Sequence, residues 1–341
     1  MTETPQPRGA HVTRPDTPPS GPPAPVPQDD VRRRLLDVRA EVAKAVVGQD
    51  AAVTGLLLGL VCRGHVLLEG VPGVAKTLLV RSLAAALDIT TKRVQFTPDL
   101  MPGDLTGSLV WDERDADFTF REGPVFTQLL LADEINRTPP KTQSALLEAM
   151  EERQVSIDGT PRPLPSPFMV AATQNPVEYE GTYPLPEAQL DRFLLRTALG
   201  YPDHEAMVQI LAESGTRDRS AGLRPVITST VVAEMARLAD GVHVDPAILA
   251  WVSRLSEESR RNVNVRLGIS VRGCLALVRC ARTWALSQGR NHVVPDDIKA
   301  LAQPVLGHRV LLTAEAEFAG TTVERVVDQI FAEVAPPAER R

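Results

Sequence analysis

The sequence predicts an α/β domain with a parallel sheet covered by helices on both faces, followed by an all-helical domain. Short, continuous apolar runs alternate with helix-length segments through the first two hundred residues, which is typical of such a sheet. One of these runs leads directly into a glycine-containing loop and then a helix. After Pro202 strand-like runs nearly disappear, and segments of helical periodicity take their place.

The amino-terminal 28 residues contain nine prolines and almost no large apolar side chains, which predicts a disordered leader. Order is expected from residue 31, where apolar residues recur with helical spacing through Val47. A second helix is predicted from Asp50 to Cys62. The α/β domain is therefore assigned to residues 31–201.

Within this domain the predicted buried strands are 65–69, 93–96, 129–132 and 168–173. Two hairpins are predicted, one near residues 105–120 and one near 154–167 with Asp158-Gly159 at its tip. The second domain is assigned to residues 202–335. Its predicted helices are 203–214, 229–239, 246–260, 270–288, 295–305 and 321–334.

Composition indicates a soluble protein with an aliphatic core, since 43% of residues are hydrophobic and only 4% aromatic. The net charge of −6 disfavours a dedicated nucleic-acid-binding protein. Cys62, Cys274 and Cys280 are odd in number and lack metal-ligand spacing, so we expect buried, reduced thiols. The longest apolar run, residues 51–62, is too short to cross a bilayer, and no signal-peptide core is seen. These features predict a cytoplasmic protein.

Charge is distributed unevenly along the chain. Residues 254–290 contain eight arginines and only two glutamates. Two interpretations stay open for this basic block: contact with nucleotide or an acidic partner, or arginines solvated on helix surfaces.

The segment Gly70–Thr77 has the pattern of a phosphate-binding loop between a strand and a helix. Backbone N–H groups and the helix start would hold phosphates, Lys76 would bridge the β- and γ-phosphates, and Thr77 would ligate Mg²⁺. Ala75 stands where the strict pattern has glycine, and we expect it to be tolerated because alanine is compatible with a helix start. The alternative is an ordinary corner with a solvated lysine. The predicted nucleotide-binding residues here are Gly70, Val71, Pro72, Gly73, Val74, Ala75, Lys76, Thr77 and Leu78.

Two acids end the apolar strand 129–132, and this is the pattern that hydrolysis requires beside a phosphate loop. Asp133 is the candidate for the Mg²⁺ shell and Glu134 for the base that polarises water. Asn175, at the tip of the next strand, could orient that water, although an Asn in a turn before proline is also common.

Two arginines are candidates for stabilising the charge that develops on the γ-phosphate. Arg192 could reach the site of a neighbouring subunit, or it could form a surface salt bridge. Arg272 opens a predicted helix of the second domain and could bring that domain onto the phosphate.

Together these motifs resemble the MoxR-type family of AAA+ ATPases, over residues 31–335. The loop resembles that family's own loop, including the alanine at position 75, and Val47-Gly48-Gln49 resembles its adenine-side motif. The two hairpins resemble insertions that the family shares with magnesium-chelatase and dynein-type modules. The other segments that carry the resemblance are 132–137, 139–143, 145–152, 172–176 and 186–193.

The resemblance implies an ATPase that uses Mg²⁺, with a carboxy-terminal helical lid domain. It implies a ring of identical subunits, commonly a hexamer, with ATP between subunits. Arg192 would then act in trans, and Arg272 would match the second sensor, with Ser-Val-Arg at 270–272 in place of the family's Ser-Pro-Arg.

The resemblance further implies a remodelling or maturation chaperone that acts with a von Willebrand factor A domain partner. Three alternatives stay open: a DNA-associated motor, a metal-chelatase-type subunit, and a nucleotide-gated scaffold that barely turns over. The sequence names no client and does not fix the number of subunits.

Overall fold

The computed structural model describes residues 28–70, 74–114, 116–174, 182–212 and 219–338. The predicted leader lies outside this part of the chain except for Gln28, which begins helix α1. The elements of the α/β domain are α1 Gln28–Ala43, α2 Asp50–Val61, β1 Val66–Gly70, α3 Lys76–Ala86, β2 Thr91–Gln95, α4 Pro102–Thr106, β3 Gly107–Asp112, β4 Asp117–Glu122, β5 Leu129–Asp133, α5 Pro140–Glu152, β6 Gln154–Ile157, β7 Thr160–Pro163, β8 Met169–Gln174, α6 Glu187–Leu190 and β9 Leu195–Leu199.

The helical region follows β9, and its elements are α7 His204–Ala212, α8 Ser229–Asp240, α9 Pro246–Arg261, β10 Val265–Leu267, α10 Val271–Ser287, α11 Pro295–Leu306, β11 Leu311–Leu312, α12 Ala314–Phe318 and α13 Val323–Glu333. Strands β10 and β11 form a short antiparallel pair that was not predicted. No helix in the described ranges is long and apolar enough to cross a membrane.

Five strands form one sheet in the order β2-β5-β8-β1-β9, and every neighbouring pair is parallel. This confirms the predicted fold class. The carboxyl ends of all five strands meet at one edge, called here the carboxyl edge, and the opposite edge is called the amino edge. The edge strand β9 was missed, because only its two end residues, Leu195 and Leu199, are buried and its centre carries Arg196 and Thr197.

Both predicted hairpins are confirmed as antiparallel pairs, β3 with β4 and β6 with β7. Asp158 and Gly159, at the tip of the second, have φ values of 51° and 73°. Two successive left-handed residues give a turn whose twist matches that of the paired strands, which explains the Asp-Gly sequence.

Alternate residues of the central strands face two separate apolar clusters. Leu67 and Leu130 join the cluster with α5, while Leu68 and Leu131 join the cluster on the other face. The second cluster continues from α1, α2 and α3 into the carboxy-terminal helices, where Trp251 is fully buried. The helical region is therefore packed against the sheet domain through a continuous core. Cys62, Cys274 and Cys280 are free thiols, as predicted, but only Cys62 and Cys280 are buried; Cys274 is half-buried, contrary to the expectation.

Candidate functional site

The predicted phosphate loop lies at the carboxyl edge, between β1 and α3. Gly70 ends β1, and a Cβ atom there would lie 2.7 Å from the carbonyl oxygen of Leu199, so only glycine fits. Lys76 begins α3, and its Nζ donates a hydrogen bond of 2.5 Å to the Gly70 carbonyl oxygen. The ammonium group and the α3 amino terminus therefore face the same loop, as phosphate binding requires. Val71, Pro72 and Gly73 lie outside the described residues.

Ala75 precedes α3 in a left-handed conformation, with φ 60° and ψ 27°. We expected alanine to be tolerated here because it is compatible with a helix start. That reason was wrong, since Ala75 does not adopt a helical conformation. The position requires positive φ, which glycine adopts freely and alanine adopts only with strain. Val74 is buried, whereas Thr77 and Leu78, at the start of α3, are half-buried.

The predicted adenine-side residues lie next to this loop. Buried Gln49 donates from Nε2 to the carbonyl oxygen of Gly200 at 2.9 Å. Gly48 has φ +74°, and a Cβ there would lie 3.3 Å from Ala206. Gly200 directly follows Leu199, which pairs with Gly70 in the sheet. Half-buried Val47, together with Gly48 and Gln49, therefore lies next to the phosphate loop.

Asp133 and Glu134 lie at the same carboxyl edge, at the end of β5. A third residue, Thr173 on β8, connects them: its Oγ1 donates to Asp133 Oδ1 at 2.6 Å and accepts the Glu134 N–H at 2.8 Å. No role was predicted for Thr173, although it stands two residues before Asn175. Strands β5 and β8 pair in parallel from Leu129 and Met169, so the equal distance of Asp133 and Thr173 from these first paired residues was the signal that could have identified Thr173.

Glu134 occupies a left-handed conformation, with φ 58° and ψ 52°. Its Oε2 accepts hydrogen bonds from Gln95 Nε2 at 2.6 Å and from Arg137 Nη1 at 3.0 Å. Strained backbone at a residue with a held carboxylate is typical of functional sites. Asn175 lies outside the described residues, so its proposed contact with water stays a prediction.

The oxygen ligands that Mg²⁺ prefers are available at this edge, since the Thr77 hydroxyl and the Asp133 carboxylate both lie there. These residues fit the ion, and the phosphates of a bound nucleotide would complete its shell. Asp133 Oδ2 is paired with Arg93, whose Nη2 and Nε lie 2.7 and 3.1 Å away. Asp133 is therefore held in place from both oxygens.

Arg192 and Arg272 lie together at the amino edge. Glu151 joins them: its Oε1 accepts from Arg272 Nη2 at 2.6 Å, and its Oε2 lies 3.2 Å from Arg192 Nη1. The end of α5 is fixed at this edge because the ring of His65, just before β1, bonds the Met150 carbonyl oxygen at 3.0 Å. Strand β1 separates this cluster from the phosphate loop by about 15 Å.

The structure therefore does not bring Arg272 onto the phosphate loop of its own chain, contrary to one expectation from the sequence. The reason is the packing of α10, which lies against α1, α2, α8 and α11 and directs its amino terminus to the amino edge. Arg192 is likewise remote from Lys76 in the same chain, as a residue acting in trans would be.

Arg309 was not singled out from the sequence, yet it holds the segment that carries Arg192. Its side chain is 2% exposed, and its Nε donates to Asp191 Oδ1 at 2.8 Å. Further bonds from its guanidinium reach the carbonyl oxygens of Asp191, Phe193 and Leu194. The Ser270 hydroxyl also contacts Asp191 at 3.2 Å. The arginine cluster is thus built jointly by the sheet domain and the helical region.

Comparison with known proteins defines the class. A model described as "ATPase family associated with various cellular activities (AAA)" matches residues 65–195, and one described as "AAA lid domain" matches residues 257–330. The crystal structure of a candidate ATPase from Cytophaga hutchinsonii superimposes with a TM-score of 0.85 at 38% identity, covering 91% of this chain and 97% of that one. The chain is an AAA-type protein with its lid.

Two relatives define the family. The chain is 44% identical to YeaC of Bacillus subtilis over 92% of its own length and 98% of YeaC. It is 42% identical to the chaperone MoxR1 of Mycobacterium tuberculosis, over 87% of its own length and 81% of MoxR1. The chain belongs to the MoxR family of AAA+ ATPases, which confirms the resemblance seen in its motifs.

Proposed function

We propose that the chain binds and hydrolyses ATP with Mg²⁺ at a site completed by a second copy of itself. The observation that carries this proposal is the separation of the two halves of the machinery. Lys76, Asp133 and Glu134 lie at the carboxyl edge, whereas Arg192 and Arg272 lie at the amino edge of the same sheet. Two copies in head-to-tail contact would bring one half against the other.

Each half has a distinct chemical task. Lys76 and the α3 amino terminus would hold the phosphates, Thr77 and Asp133 would hold Mg²⁺, which would screen the phosphate charge, and Glu134 would take a proton from the attacking water. Asn175 is proposed to orient that water. Arg192 and Arg272 of the neighbouring copy would add positive charge where the γ-phosphate becomes more negative.

A head-to-tail contact that repeats with rotation closes into a ring. We propose a homo-oligomeric ring, with a hexamer as the expected number because the family commonly forms one. Isolated chains should then bind ATP but hydrolyse it slowly, because each lacks the arginines that face its nucleotide.

We also propose that the ring acts as a remodelling or maturation chaperone with a von Willebrand factor A domain partner. The name of MoxR1, a chaperone, supports the chaperone role. The net charge of −6 favours a protein client over DNA. A partner trapped by an ATP-bound Glu134→Gln ring and identified as a metal-insertion subunit would instead favour the chelatase-type alternative, and DNA-stimulated ATPase activity would favour the motor.

Mixing two inactive variants tests the shared site. Glu134→Gln should bind ATP without hydrolysing it, and Arg192→Ala should lose most activity; exposed Glu315→Gln is the matched control and should remain active. In a random equal mixture, about one quarter of the contacts pair an intact Glu134 with an intact Arg192 from the neighbour. Partial recovery toward that fraction supports the shared site. Absence of recovery at any ratio contradicts it, and full activity of Glu134→Gln alone removes that residue as the base.

A further inference from the structure

A cavity of about 730 Å³ opens at the amino edge, between the sheet domain and α10. Seven arginines line it but only three carboxylates, Glu151, Asp191 and Asp240. His65 also lines it and stays neutral near pH 7, because burial lowers its pKa to about 4. The cavity therefore carries a clear excess of positive charge.

Three of the seven arginines are compensated by carboxylates. Arg192 and Arg272 share Glu151, and Arg309 is paired with Asp191. The excess is concentrated in four others, called here the inner arginines without reference to burial: Arg63, Arg153, Arg279 and Arg282. The first three are exposed and Arg282 is half-buried. One carboxylate, that of Asp240, is paired with Arg63, and its backbone carbonyl oxygen accepts from Arg282 Nη1 at 3.1 Å.

The inner arginines have donors to spare. Arg279 forms no hydrogen bond or ion pair from its side chain within the described part of the chain, and the buried Nε of Arg282 has no partner there. Arg153 donates to the backbone carbonyl oxygen of Arg63. Partial burial lowers the pKa of Arg153, and the positive charges of Arg63 and Arg279 lower it further. Guanidinium groups stay charged near neutral pH, so these groups repel one another.

Two of the inner arginines also occupy strained backbone. Arg63 and Arg153 follow the ends of α2 and α5 with φ values of 52° and 54°. Glycine is the residue that adopts this helix-ending conformation without penalty. Arginine is found at both positions although glycine would adopt this backbone with less strain. Both arginine side chains line the cavity.

We propose that the inner arginines bind a small anion with two or more phosphate groups, such as pyrophosphate or the phosphate chain of a nucleotide, at a site separate from the phosphate loop. Guanidinium groups recognise phosphate oxygens through paired hydrogen bonds. The cavity is concave and within the size range of small-molecule sites, which favours a small ligand over a macromolecule. Its ligand would connect α2, α5 and α10, and so fix the helix that carries Arg272. This site does not depend on the proposed hydrolysis of ATP.

Calorimetric titration of the full-length Lys76→Ala variant with pyrophosphate tests the site, because that variant lacks the phosphate-loop lysine. One pyrophosphate should bind per chain at low ionic strength. Arg279→Ala and Arg282→Ala, each added to this background, should weaken binding by about tenfold or more, since each removes a charge-assisted contact. Arg261→Ala, an exposed arginine of the same basic block, is the matched control and should change the affinity less than about twofold.

The outcomes separate the possible ligands. Equal affinities of Arg279→Ala, Arg282→Ala and the control would overturn the proposal, as would absence of pyrophosphate binding. A tenfold loss of pyrophosphate affinity in Arg192→Ala with none in Arg279→Ala would assign the anion to Arg192 and Arg272 and would also overturn the proposal.

Other anions separate specific binding from general attraction. If sulfate or an oligoglutamate peptide binds as tightly as pyrophosphate, the cavity attracts anions in general and the proposal is overturned. Tighter binding of ATP than of pyrophosphate would identify a nucleotide site, and equal binding a phosphate site. Circular dichroism melting of each variant confirms that affinity is compared between folded chains.

Discussion

The two edges of the sheet contain complementary chemistry but are built differently. At the carboxyl edge, the key residues stand at or shortly after strand ends. Lys76 follows β1 after the phosphate loop, and Asp133 is the last residue of β5. At the amino edge, Arg192 and Arg272 are 80 positions apart in the chain and meet through Glu151. The first edge needs only the sheet, whereas the second needs the sheet domain and the helical region to be packed together.

This difference predicts how each edge responds to change. A substitution at the carboxyl edge should alter nucleotide binding or hydrolysis with modest effects on folding. A substitution at the amino edge should affect stability and catalysis together, because the same hydrogen bonds hold both. Five experiments test this contrast, and the largest expected effect is at the amino edge.

Arg309→Met should destabilise the protein by about 3–5 kcal/mol, because it leaves the Asp191 carboxylate and several carbonyl groups without their buried partner. Urea unfolding measures this, with exposed Arg325→Met as the control. If Arg309→Met fails to fold, Arg309→Lys is the alternative variant, because it keeps the positive charge but lacks the several donors of the guanidinium group. Arg309→Lys should unfold at a lower urea concentration than wild type. ATP affinity should remain near wild type in the folded fraction. A stable Arg309→Met protein with normal ATPase activity would contradict the contrast between the edges.

Acid should weaken the amino edge through His65. Its folded-state pKa of about 4 lies below the ordinary value of 6.5, so the unfolded chain takes up the proton first as pH falls. Neutral His65 contributes about 3 kcal/mol to the free energy of unfolding above pH 6.5. This contribution is lost as the pH falls from about 6.5 to 4. Unfolding free energies measured across this range should show the decline, and His65→Gln should reduce it. An equal decline in His65→Gln would assign it to other groups, such as buried His308.

Lys76→Ala should weaken ATP binding by about a hundredfold or more, which corresponds to the loss of about 3 kcal/mol of charge-assisted bonds to phosphate. Unfolding by urea should be nearly unchanged, because Lys76 is only half-buried and its Nζ bonds the Gly70 carbonyl oxygen. Calorimetry with ATP provides the affinity. Exposed Lys299→Ala is the matched control, and wild-type affinity in Lys76→Ala would remove the phosphate-loop assignment.

Thr173→Val tests the residue that connects the two acids. The change conserves volume but removes the bond to Asp133 and leaves the Glu134 N–H without its acceptor, which should cost about 1–3 kcal/mol of stability. We expect a lower kcat with a smaller change in ATP affinity. Thr119→Val, on the exposed hairpin, serves as the control. If kcat and the urea midpoint of Thr173→Val both equal those of wild type, the hydroxyl does not position the acids.

Ala75→Gly should be the smallest effect and the only stabilising one, by about 0.5–1 kcal/mol, because glycine adopts the left-handed conformation without strain. Ala85→Gly, inside α3, should have the opposite sign at about 1 kcal/mol. Thermal unfolding distinguishes the two. Destabilisation by both substitutions would show that Ala75 is not strained.

Motifs at strand ends were predictable from the sequence because a strand, its turn and the following helix are contiguous. The loop residues Gly70 and Lys76, the acids Asp133 and Glu134, and the Asp158-Gly159 hairpin all follow from local pattern. The fifth strand was not predictable in the same way, since β9 is an edge strand with a polar centre. The conformation of Ala75 also escaped, because residue type alone does not report φ.

The fold class, the family and the carboxyl edge were predictable from sequence, because apolar periodicity and strand-end motifs act over short stretches of chain. The positions of the arginines depend instead on tertiary packing. Arg192, Arg272 and Arg309 meet because α10 and the segment after α11 pack against the end of α5 and the Asp191–Leu194 segment. Such contacts join residues far apart in sequence, and they are stabilised by burial and by ion pairs that no local pattern encodes.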